Sequence, residues 1–100
     1  MRWNRGQVVV FPKQKYSPAP GPRAREVDAA PGGETYSYLV DKFWIVKETL
    51  ADGRLVVLTR GGKEHVLRHD DLSIRGLSLL ERLRHRQRLQ DLLSVLKKAG

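Results

Sequence analysis

No cysteine occurs anywhere in this chain, which excludes disulfides, thiolate metal ligands and thiol chemistry together. Long apolar runs are missing as well. The longest near the N-terminus is Val8–Phe11, too short for the apolar stretch of a signal peptide or for a membrane span. No membrane association and a cytoplasmic location are therefore expected. All five prolines lie between residues 12 and 31, so proline bars nothing downstream from regular structure. Acidic residues are scarce after Ile74, where only Glu81 and Asp91 face seven Lys/Arg.

What is present is positive charge, unevenly placed. The formal charge is +8, yet residues 39–74 hold six Lys/Arg and six Asp/Glu and are neutral. The excess falls on residues 1–38 and, more densely, on residues 75–100. Such a distribution attracts anionic partners at long range, nucleic acid, ribosomes or anionic lipid among them. A chain of 100 residues fits one domain and buries roughly 65% of its unfolded surface.

The order of patterns predicts a mainly β protein with a C-terminal helix. Residues 7–11 (QVVVF) read as a short β-branched strand. Pro12–Glu34 carries every proline and reads as a long, partly extended loop, closed to any helix or central strand. The run YSYLVDKFWIVKETL from Tyr36 suits a pleated, half-buried strand. Its alternation breaks at Asp41-Lys42, where a bulge or sharp bend is expected. Asp52-Gly53 predicts a two-residue turn with positive φ at both positions, and Gly61-Gly62 a second tight turn into a strand near Glu64–Arg68. A first strand, a long loop, a bent strand, two hairpins and a short DDLSIR segment match a small SH3-like barrel of 4–5 antiparallel strands. An OB-like barrel needs more strand sequence than is available. The expected division is a barrel over 1–76, containing the Pro-rich loop 12–34, and a basic helix over 77–100.

That helix is expected over about 78–98. Ser78 and Glu81 have capping-box spacing, and Lys97 and Lys98 suit the last turn. Its apolar residues form two stripes rather than one. Leu79, Leu80 and Leu83 share a face, expected to pack on the barrel; Leu89, Leu92, Leu93 and Leu96 make a second, rotated by more than a quarter turn. One straight helix cannot bury both on one surface, so it bends near RHRQR or its last turns bury elsewhere; a weak homodimer is favoured, with fold-back onto the barrel and a frayed tail as the alternatives.

Few residues combine into reactive chemistry. Arg82, Arg84, Arg86 and Arg88 are the strongest chemical feature, because guanidinium groups bind phosphate through a bidentate fork. Arg75 and the loop residues Lys13, Lys15, Arg23 and Arg25 extend the basic set. Tyr36 and Tyr38 are candidates for stacking on unpaired bases. His65, His69, Asp70 and Asp71 do not make a metal site, since a strand spacing of four separates the two histidines by about 13 Å. Thr59–Lys63 lacks the spacing of a phosphate-binding loop. No Ser/His/Asp set or carboxylate pair is evident, and no catalysis, cofactor or small-molecule substrate is expected.

Trp3 with Gly6 and Val8, PGPRAR (20–25), GETYSY (33–38), VDKFWIV (40–46) and DGRLVVLTRGGKEH (52–65) together resemble a family of small, uncharacterised bacterial proteins. The resemblance covers Trp3 to about Arg86 and implies an SH3-like fold with 41–44 as a structural signature. It implies no activity. The expected function is non-catalytic contact with nucleic acid or ribosomal RNA, weakly sequence-specific, through the basic helix and loop. The alternative is a protein-interaction module using a barrel groove or the Leu89, Leu92, Leu93 and Leu96 stripe.

Overall fold

The computed structural model describes residues 3–68 and 73–99. Among the described residues six strands are formed: β1 (Val8–Ser17), β2 (Arg25–Ala29), β3 (Tyr36–Thr49), β4 (Leu55–Leu58), β5 (Glu64–Leu67) and β6 (Arg75–Gly76). Two helices follow, α1 (Leu79–Arg84) and α2 (Arg86–Ala99). The strands are hydrogen-bonded in the order β5-β4-β3-β1-β6, with β2 added to β3. The protein is thus a mainly antiparallel β structure with a helical C-terminus. β5 and β6 end the order, and among the described residues no pairing between them closes the sheet.

The chain forms two compact units, Phe11–Lys42 and the remainder. In the larger unit β4 is buried at all four positions, flanked on one side by β3 and on the other by β5. Val10, Phe43, Ile45, Leu58, Leu92 and Leu96 form one core cluster. Val9 and Val10 pair with Gly76 and Arg75, so the last strand exists but is two residues long.

The Asp52-Gly53 turn differs from the two-residue type expected. Leu50 N–H donates to the Arg54 carbonyl, and Gly53 N–H to the Leu50 carbonyl. Only Gly53 has positive φ, at 89°. This is a three-residue loop, a type I turn closed by a left-handed residue. Thr59–Lys63 repeats it, with Gly62 at φ 87°. A bulge lies farther along β3. In the β3–β4 ladder the register shifts between Val46 and Glu48, leaving Lys47 as the extra residue. Arg5 donates to the Lys47 carbonyl at 2.9 Å. Asp41-Lys42 lies where the chain passes from the smaller unit to the larger.

The smaller unit corrects the expectation of a long, partly extended loop over Pro12–Glu34. β1 continues through Pro12 to Ser17, and β2 pairs with β3 from Arg25↔Leu39 to Ala29↔Tyr36. Pairing with β6 covers only Val9 and Val10 of β1, so Pro12 lies beyond it.

A single helix over 78–98 is not formed. His85, with φ −114° and ψ 33°, interrupts it between α1 and α2. Its N–H still donates to the Glu81 carbonyl, and its carbonyl accepts from Leu89 N–H. The break therefore redirects the chain without leaving that turn unbonded.

Candidate functional site

The interruption at His85 decides which leucines are covered, and it reverses the expected choice. Leu92 and Leu96 enter the core of the larger unit. Arg60 ties the β4–β5 turn to α2 through Asp91 at 2.6 Å. The longer helix wins this surface because its stripe buries more apolar area, roughly 1.5–3 kcal/mol for each fully covered leucine. Leu92 and Leu96 are thereby enclosed by their own chain, which is the fold-back alternative and corrects the favoured expectation that they serve a second copy. Leu89 is half-buried and Leu93 exposed.

α1 is turned the other way. Arg75 grips Glu81 with two hydrogen bonds, 2.7 and 3.0 Å. Ser78 and Glu81 complete the capping box, the Ser78 N–H donating to the carboxylate and the Glu81 N–H to the Ser78 hydroxyl. Chiefly the Arg75 guanidinium, then the Ser78 backbone N–H, hold the Glu81 carboxyl down at about 2. His85 sets its ring edge-on to Phe43, centroids 4.9 Å apart, and Arg88 lies over the same Phe43 ring at 4.7 Å. Glu81 and His85 thus face the body, while Leu79, Leu80 and Leu83 stand 75%, 66% and 63% exposed.

At about 100° per residue the three leucines span roughly 100° of α1, with Arg82 on one border and Arg84 on the other. Arg82, Arg84 and Arg86 are exposed and hold no ion pair among the described residues. Beside α1, a hollow of about 220 Å³ is lined by Val8, Leu77, Leu89 and Leu93, with Gln7 and Arg82 supplying polar groups. The sequence reading missed this surface because it assigned the first stripe to the core. The only warning was the Ser78–Glu81 box, which fixes where Glu81 points.

The other basic candidates divide by what already holds them. Arg75 is engaged by Glu81, Arg88 by Phe43, and Arg25 by Asp41 at 2.8 Å and Glu26 at 3.6 Å. In the smaller unit Lys13 and Arg23 are exposed and Lys15 is half-buried. Lys42, absent from the sequence-derived set, joins them. Burial first, then Lys15, Arg23 and Lys13, lower its pKa below the ordinary lysine value. Tyr38 is buried and Tyr36 half-buried, so only Tyr36 keeps part of its ring available.

His65 stacks on Trp44, ring centroids 4.6 Å apart; His69, Asp70 and Asp71 lie outside the described residues. Among the described residues no group of His, Asp or Glu could hold a metal ion, and no helix is long and apolar enough to cross a membrane. Comparison with known protein families, with curated proteins and with solved structures gives no match.

Proposed function

We propose that the protein is a non-catalytic binding module, a small SH3-like barrel with helical extension, that contacts nucleic acid through exposed arginines of its C-terminal helices. The strand order, with the last strand added to β1, supports the barrel reading. The observation that carries the function is the state of Arg82, Arg84 and Arg86, three exposed guanidinium groups with no ion pair among the described residues. Exposed guanidinium groups without a carboxylate partner keep their bidentate donors available to a phosphate backbone. The cations Lys13, Lys15, Arg23 and Lys42 form a second basic group in the smaller unit. RNA and DNA are both accommodated, since phosphate contact does not read sequence.

Titration against single-stranded RNA and duplex DNA at several salt concentrations tests this. Affinity for the duplex falls steeply with salt, and replacing Arg82, Arg84 and Arg86 with alanine flattens the log–log slope by about 2.7, at 0.9 per phosphate contact. Affinity indifferent to salt, or an unchanged slope in the triple variant, refutes the reading. The exposed leucines of α1 favour a protein partner as a second reading.

A further inference from the structure

We infer that the outward face of α1 and the hollow beside it dock an acidic amphipathic helix of a protein partner. The inference goes beyond the nucleic-acid reading and does not need it. A short surface helix ordinarily turns its leucines inward and its charges out. α1 does the reverse. Its carboxylate is held inward by Arg75 and Ser78, while Leu79, Leu80 and Leu83 form a contiguous exposed arc. Single exposed leucines are ordinary, but an apolar patch rimmed by polar groups marks an interaction surface.

The chemistry of the surroundings selects the occupant. Arg82 and Arg84 border the arc on both sides, and neither has an ion pair among the described residues. Arg82 also lines the hollow, and Leu79 lies one turn before it on the same helix. A partner must therefore offer an apolar strip flanked by negative charge, with a side chain protruding far enough to fill the hollow between Val8, Leu77, Leu89 and Leu93. An amphipathic helix with leucines at i, i+3, i+4 and i+7 and glutamates on the flanks offers all three. A second copy of this chain does not. Pairing two arcs sets Arg82 and Arg84 of one copy against the same arginines of the other, in a protein of charge +8. Phosphate alone gives the leucines no counterpart, and a lipid headgroup layer presents no protruding side chain to the hollow.

The test uses the full chain and a fluorescein-labelled designed helix of about fourteen residues, four turns, with that leucine pattern and flanking glutamates. A matched control carries lysine at every glutamate. Fluorescence anisotropy is expected to show the acidic peptide binding at least about tenfold more tightly than the basic one at low salt. Leu80→Gln with Leu83→Gln weakens the acidic peptide about tenfold or more, while leaving duplex DNA affinity and the melting temperature unchanged. Arg82→Glu with Arg84→Glu reverses the preference toward the basic peptide. Equal binding of both peptides, or no loss in the leucine variant, overturns the inference. So does a dimer of the protein alone in equilibrium sedimentation that the leucine variant dissolves. Leucine-dependent binding to phosphatidylglycerol vesicles without peptide binding assigns the face to lipid and overturns it as well. Loss of DNA binding on its own refutes only the nucleic-acid reading, because the leucine substitutions leave every charge in place.

Discussion

At the scale of single residues, the two hairpin glycines and Glu81 give the sharpest expectations. Gly53 and Gly62 close their turns at φ near 90°, a region where a β-branched side chain is strained whatever the space around it. Gly53→Val is expected to cost at least about 1 kcal/mol in denaturant unfolding. The adjacent pair Gly61 and Gly62 separates conformation from crowding. Gly61 has no positive φ, and an added Cβ there meets only the Thr59 hydroxyl at 3.9 Å. Gly61→Ala is expected to be neutral or to stabilise by about 0.5 kcal/mol, and Gly62→Ala to destabilise. Equal effects at the two sites would refute the turn geometry. Glu81 has its carboxyl lowered from 4.5 to about 2 by Arg75 and Ser78. A depressed acid contributes stability that is complete above its unfolded pKa and is lost as pH falls through its folded value. Melting curves between pH 4.5 and pH 2 therefore show a loss that Glu81→Gln lacks. A Glu81→Gln variant that tracks the parent through that window would exclude the Arg75–Glu81 link as its source.

At the scale of elements, the break at His85 divides one stretch of leucines into two with opposite fates. Leu92 is fully buried, whereas Leu83 on α1 is largely exposed. Leu92→Ala is expected to cost about 2–5 kcal/mol through lost transfer energy and the cavity left behind. Leu83→Ala is expected to change unfolding by no more than about 0.5 kcal/mol. If the two variants unfold at the same denaturant midpoint, the assignment of the stripes is wrong. The sequence revealed two stripes out of phase, because periodicity is a local property. Which stripe met the body was not legible. That choice depends on the surface formed by Phe43, Ile45 and Leu58, residues far away along the chain. The Ser78 box was readable in advance; its partner Arg75 was named only as a candidate phosphate ligand.

At the scale of the whole molecule, protection is expected to follow burial and pairing. β4 is buried at every position and is bonded on both sides. β2 is exposed at every position and, among the described residues, pairs with β3 alone. Native-state hydrogen exchange is expected to find the β4 amides opening only near global unfolding, and those of β2 exchanging through small local openings. Similar protection in the two strands would contradict this division. The net charge acts at this scale too, raising encounter rates with any polyanion at low salt.

The sequence by itself determined the strands from Tyr36 to Leu67 and the helical character of the tail. Alternating β-branched and aromatic residues, Asp-Gly and Gly-Gly turns, a capped leucine-rich tail and a C-terminal excess of arginine all act through neighbours in the chain. Tertiary structure alone decided three other matters. β1 ran on through Pro12 to Ser17, past the Val9 and Val10 positions that pair with β6. Lys42 joined Lys13, Lys15 and Arg23 because folding brought separate strands and a loop together. The leucines of α1 were left outward because Arg75 claimed Glu81 while α2 filled the core. Each depends on which distant segment occupies a shared space, and hydrophobic periodicity carries no information about that competition.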